Sequence, residues 1–185
     1  DAAAMLSILA QPDYRDWQAQ NPTSHDFTTN QFSILKNLRI AFSTDLGYVS
    51  VDPEIAATVE KAAELFSEFG AIVENVHPKF SNPLELFNLF WHTGAAQLIG
   101  NFNEAQIKLM DPGLIKIAEK GAQFSLKDYL SANYSRTQFA ENLSKFHQSW
   151  DLLVTPTLPI AAFPLGKNVP EGDTYEDWPD WTPFT

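Results

Sequence analysis

The residues that could do chemistry are spread thinly along the chain. A nucleophilic serine is usually raised on a sharp, glycine-flanked turn beside a base. No Gly-x-Ser-x-Gly elbow occurs, and no serine lies in a glycine-rich loop. His25, His77, His92 and His147 stand far apart, without an i, i+4 pair or an HExxH motif, so they read as surface or core histidines rather than metal ligands. The eight glycines stand singly, which leaves neither a dinucleotide fingerprint nor a phosphate loop. Asp151 precedes the apolar run Leu152-Leu153-Val154 and could do acid–base work; its place at a helix–strand turn makes a structural role the expectation. The bulky stripe Tyr129, Leu130, Tyr134, Phe139, Leu143, Phe146 and Trp150 could wall a ligand, but core packing explains it more simply. The apolar stretch Leu84 to Ile99 could be core or a face for a partner.

Composition narrows the classes. The 185 residues are 44% apolar and 19% charged, which is globular and sufficient for a core. A formal charge of −11 repels phosphate backbones and argues against a nucleic-acid partner. With no cysteine, this chain has neither disulfides nor thiolate metal sites, which fits a reducing compartment. No apolar run approaches the roughly 18 residues of a membrane span. The opening residues do not read as a signal peptide and carry no initiator Met, and both ends are expected to be cuts in a longer polypeptide.

The organising unit runs from Leu38 to Pro78. Residues 38–42 form an apolar strand, ended by turn residues Ser43, Asp45 and Gly47. Asp52-Pro53-Glu54 opens a helix: a capping side chain, a proline tolerated in the first turn, and an acid at the positive end of the dipole. Ile55, Val59, Ala62, Ala63, Phe66 and Phe69 recur at helical spacing, so about six apolar side chains are expected to be hidden. Gly70 stops the helix and 71–76 is the second strand, parallel to the first. Helices are also expected at 1–10, at 84–99, briefly at 103–110, after Asp111-Pro112, and from Ser125 to Trp150. Ser125 with Asp128 fits a capping box there. Residues 13–33 read as a surface connection, and 151–154 as a third, short strand. From Pro164 the period is lost among prolines, acids, Trp178, Trp181 and Phe184. That much aromatic area either folds back on the domain or meets a missing surface. The fold class is therefore α/β, a mainly parallel sheet of three or more strands covered by helices. Residues 1–163 form the core portion and 164–185 an irregular tail.

Three segments resemble the C-terminal half of amidase-signature enzymes. They are Leu38-Arg39-Ile40-Ala41-Phe42-Ser43-x-Asp45-Leu46-Gly47-Tyr48 with Val51-Asp52-Pro53-Glu54-Ile55, Phe69-Gly70-Ala71-x-Val73-Glu74-x-Val76, and Trp150-Asp151-Leu152-Leu153-Val154-Thr155-Pro156-Thr157-Leu158-Pro159. The opening Asp1-Ala2-Ala3-Ala4-Met5-Leu6 resembles the helix that follows the family's signature region. The matches keep family order over nearly the whole chain.

The resemblance implies a fragment of an α/β/α sandwich. It implies an amidase that uses a serine, a second cis-bonded serine and a lysine, with backbone N–H groups as oxyanion hole. Those residues would precede Asp1, so no position here is assigned a catalytic role. No cofactor and no metal are implied. Two pocket positions can be compared with the family's representative in glutamyl-tRNA amidotransferases. Ile117, four residues before Gly121, stands where those enzymes have an arginine, and Thr182 stands near an acid. Both charges that would hold an amino-acid substrate are thus missing. The expectation is a cytoplasmic amidase for an uncharged or apolar acyl amide, with a small-molecule amide as its partner. This piece alone would be inactive. It could self-associate through apolar surface at Leu84–Ile99 and Trp178–Phe184. The alternative is a non-catalytic binding or scaffold domain that reuses the fold.

Overall fold

The structure, a computed structural model, describes residues 1–19, 21, 26–28, 35–172, 175 and 177–184. Two compact units emerge, Asp1–Lys36 and Asn37–Thr185.

In the first unit, α1 (Ala2–Leu9) is apolar but buries no residue; Met5, Ile8 and Leu9 are exposed. Asp13 and Arg15 form an exposed ion pair beyond it. Of the expected surface connection over 13–33, residues 20, 22–25 and 29–33 lie outside the described residues, His25 among them.

The second unit is built on three parallel strands, β1 (Arg39–Phe42), β2 (Ile72–Asn75) and β3 (Leu152–Val154), in the order β2-β1-β3. Ile40 is in register with Val73 on one side and Leu152 on the other. The central strand is the driest part of the molecule: Ile40 and Ala41 are fully buried and Phe42 nearly so. Successive side chains point to opposite faces, so burial of three in a row means that both faces are covered, which explains the unbroken apolar run. Asp151 joins the sheet rather than a reaction. Its N–H donates to Arg39 O (2.9 Å) and its Oδ2 accepts from Arg39 N (2.8 Å). The Arg39 guanidinium lies 4.8 Å from the Trp150 ring.

Helix starts follow their sequence signals. Asp52 caps α2 (Pro53–Glu68) through Glu54 N, and Gly70 takes φ +94° after its end. Helix α3 spans Leu84–Ile99. Asn103 with Gln106 boxes α4 (Glu104–Ile107), and Asp111 caps α5 (Pro112–Gly121). Ser125 with Asp128 boxes α6 (Leu126–Phe146).

Burial departs from expectation in two helices. Of the six residues on the stripe expected from Ile55 to Phe69, only Ala63 is buried; Ile55, Val59 and Phe66 are half-buried, Ala62 and Phe69 exposed. The main packing partner of α2 is β2, itself mostly exposed, so little covers the stripe. In α6 only Ala132 is buried, and Leu126, Leu130 and Tyr134 are exposed. The reading of that stripe as core is corrected: Phe139, Leu143 and Phe146 are only half-buried, and its rings meet single aromatic neighbours, Tyr129 edge-on to Phe90, Phe146 edge-on to Phe80 and Phe139 tilted against Phe80.

The helical core lies between α3 and α5. Ala95, Ile117 and Ala118 form its buried cluster, with Ile99, Leu114 and Trp178 against it. Gly121 permits the approach, because a Cβ there would overlap the His92 carbonyl. Residues 164–184 lie in this second unit. Their 3₁₀ turn, Trp178–Trp181, is closed by Asp177 and Asp180 as a capping box, and Trp178 packs on α3. The turn's aromatic side chains are half-buried and Pro179 is buried, whereas Phe87, Trp91 and Leu98 of α3 remain exposed. No helix among the described residues is long and apolar enough to cross a membrane.

Candidate functional site

The sheet topology marks a place before any side chain does. From β1 the chain leaves through α2 toward β2, while β3 lies on the other edge of β1. In an open parallel sheet, ligands settle outside the carboxyl ends of strands where the order diverges in this way. The β1 loop begins with Ser43, whose buried Oγ accepts from Leu46 N (3.1 Å), and turns at Leu46 (φ 53°) and Gly47 (φ 83°). Asp52 N donates to Pro159 O (2.8 Å), tying this loop to the one after β3. Pro156 and Pro159 are fully buried and stiffen that second loop.

A cavity of about 220 Å³ lies against these loops, lined by Tyr48, Phe87, Pro159, Tyr175, Asp180 and Thr182 among others. Burial pushes the Tyr48 phenol above its ordinary value, so it remains a neutral hydroxyl donor near neutral pH. Asn82, also in the lining, is used locally: its Oδ1 accepts from Leu84 N at the start of α3. The cavity offers apolar walls with a few hydroxyls.

A second, larger cavity of about 990 Å³ opens on the other face of the 3₁₀ turn. Trp91, Phe163, Trp178 and Trp181 line it, with Ile117 and Lys120. The Lys120 ammonium is 3.6 Å from Asp177 Oδ2, which fastens α5 to the turn. His92, buried on α3, senses both. Burial and the Lys120 charge hold its pKa below the ordinary value, and Asp177 opposes them.

None of these groups forms a catalytic constellation. Among the described residues no serine hydroxyl hydrogen-bonds to a histidine or lysine, and no cluster of acids and histidines could hold a metal ion. Ser125 Oγ donates to Asp128 Oδ2 (2.6 Å) within its cap, and His147 Nδ1 lies 3.0 Å from Trp150 O. His77 is exposed, 3.9 Å from Asp45.

Of the two pocket positions read from the sequence, Ile117 sits in the α3–α5 core and on the wall of the larger cavity. Thr182 lines the smaller one, with Trp178 O and Pro179 O each 3.4 Å from its Oγ1. The turn separates them, so neither cavity holds both. Sequence reasoning misses Tyr48, Tyr175 and Asp180 as lining residues. Tyr48 is within reach of a simple rule, since it follows the carboxyl end of a predicted parallel strand.

The family model described as Amidase matches residues 1–185. An acylamidase from Rhodococcus erythropolis is 31% identical over 172 residues, covering 92% of this chain and 36% of that protein. A glutamyl-tRNA(Gln) amidotransferase chain from Lacticaseibacillus casei is 25% identical over 194 residues, covering 91% and 40%. Among solved structures, a 6-aminohexanoate cyclic dimer hydrolase superposes with a TM-score of 0.74 at 16% identity, over 97% of this chain and 40% of that one. That likeness is one of fold. The chain spans 36–40% of the length of these relatives.

Proposed function

The chain belongs to the amidase family, and on that premise we propose that it is the scaffold and pocket-wall portion of an amide hydrolase whose nucleophile lies on polypeptide outside these 185 residues. The observation that carries this reading is the full-length family match together with serines whose side chains serve caps and turns. In the proposed reaction a serine oxygen attacks the amide carbonyl. Its proton passes through a second, cis-bonded serine to a lysine, and backbone N–H groups hold the oxyanion. This portion contributes the sheet β2-β1-β3, the α3–α5 pair, and the smaller cavity that lies against the loops after β1 and β3.

The substrate follows from two positions. Ile117 and Thr182 cannot supply the guanidinium and the carboxylate that would grip the charged ends of an amino-acid amide. The acyl group is therefore uncharged or apolar. Support comes from the acylamidase relative, which is more similar to the chain than the amidotransferase relative is. No cofactor or metal takes part, and the reducing cytoplasm suits a chain without cysteine.

The test is hydrolysis of hexanamide and of glutamine by the 185-residue chain and by the longer protein that contains it. The expected result is no turnover by the chain, and a kcat/KM for hexanamide well above that for glutamine in the longer protein. Turnover by the chain, or a preference for glutamine, would overturn the proposal.

A further inference from the structure

The larger cavity has a composition that the amidase reading does not require. Four of its lining residues are aromatic, and their rings are fixed by one another. Trp178 stands edge-on to Trp91 (5.2 Å, 79°), and Trp181 edge-on to Phe163 (5.2 Å, 85°). The Trp181 indole N–H donates to Asn168 O (3.0 Å), which fixes its orientation and removes its polar demand. Leu114, Ile117 and Val169 complete an apolar lining. Such a wall favours a flat apolar group at little cost in ordering, because the rings are already placed.

The charged lining residues are not evenly matched. Asp111 is occupied with capping α5, its Oδ1 accepting from Gly113 N (2.7 Å) and Leu114 N (3.3 Å). Asp177 accepts from Trp178 N (2.9 Å) and faces Lys120. Lys116 and Lys167 also line the cavity, and among the described residues neither is paired with a carboxylate. In a chain of net charge −11 this is a local excess of cations beside aromatic faces.

The geometry points to a binding site for a planar aromatic group that carries a carboxylate: the ring lies against the tryptophan wall and the carboxylate is met by Lys116 and Lys167. Both lysines are exposed, so their contribution is screened by salt and amounts to selectivity rather than tight binding.

Calorimetric titration of the 185-residue chain with 2-naphthoate, its neutral isostere 2-naphthamide, and cyclohexanecarboxylate tests this without any turnover. Its failure is therefore distinct from failure of the amidase reading. 2-Naphthoate should bind one-to-one, about three- to ten-fold tighter than 2-naphthamide at low salt, with the difference gone at about 0.5 M salt. Cyclohexanecarboxylate should bind at least about ten-fold more weakly than 2-naphthoate. Lys116→Gln with Lys167→Gln should bring 2-naphthoate down to the amide's affinity and leave thermal stability unchanged. Trp91→Ala, at an exposed position, should weaken both aromatic ligands. Equal affinity for the acid and the amide, cyclohexanecarboxylate binding as tightly as 2-naphthoate, or indifference to Trp91→Ala would overturn the proposal.

Discussion

Adding one methyl group to each of two helical glycines should move stability in opposite directions. Gly94 lies within α3 and faces open space: nothing stands within 4 Å of the position a Cβ would take. Gly94→Ala should therefore show only the helix-propensity gain, about 0.5–1 kcal/mol. Gly121 closes α5, and there the new Cβ would overlap the His92 carbonyl, with Thr93 N 2.9 Å away. These are backbone atoms, so no side-chain rotation relieves the overlap. Separating α3 from α5 would loosen Ala95, Ile117 and Ala118, and exposing an isoleucine alone costs roughly 1.5–3 kcal/mol. Overpacking typically costs about 1–3 kcal/mol, against at most about 1 kcal/mol of propensity gain. Gly121→Ala should thus destabilise by about 2 kcal/mol, or some 4–8 °C in Tm for a chain of this size. Urea unfolding followed by circular dichroism, on both variants beside the parent, measures the two signs. A neutral or stabilising Gly121→Ala would refute the close α3–α5 contact.

Three further outcomes follow from named contacts. Asp151→Ala removes the acceptor for Arg39 N at the β1–β3 junction and should cost about 1 kcal/mol in urea unfolding while leaving any amidase activity of the longer protein within a few-fold. Ser125→Ala breaks the capping box of α6 and should cost about 1 kcal/mol, with hydrogen exchange rising first in residues 126–129. His92 has a folded-state pKa below its ordinary 6.5, so between those two values the unfolded chain holds a proton that the folded one lacks. The stability carried by neutral His92 is therefore complete above about pH 6.5 and drains as pH falls below it. Asp177→Asn, which removes the opposing charge, should steepen that loss in urea midpoints measured from about pH 7.5 to about pH 5.

What could be read from the sequence was what neighbours along the chain decide. Asp52, Asp111 and Ser125 cap the helices they precede, because a cap needs only its own next two or three backbone N–H groups. The three strands were legible from short apolar runs. Burial was not: the periodicity of Ile55 to Phe69 states which residues share a face, and says nothing of whether another element covers it. The aromatic run of α6 misled for the same reason. The cavities were the least legible part. Tyr48, Phe87, Pro159 and Tyr175 meet only because loops after β1 and β3 converge with α3 and the last turn, and no spacing rule links them. The turn itself carried a readable sign in Asp177 and Asp180, an acid–acid capping box hidden among prolines.

If this chain shapes an amide-hydrolase pocket, as proposed, the attacking serine lies elsewhere. The most direct measurement is labelling with a fluorophosphonate, which forms a stable ester only with an activated serine, followed by peptide mapping by mass spectrometry. The 185-residue chain should take no label, and the longer protein containing it should carry a single labelled serine outside this segment. An adduct on Ser43, Ser125 or any other serine between residues 1 and 185 would contradict it.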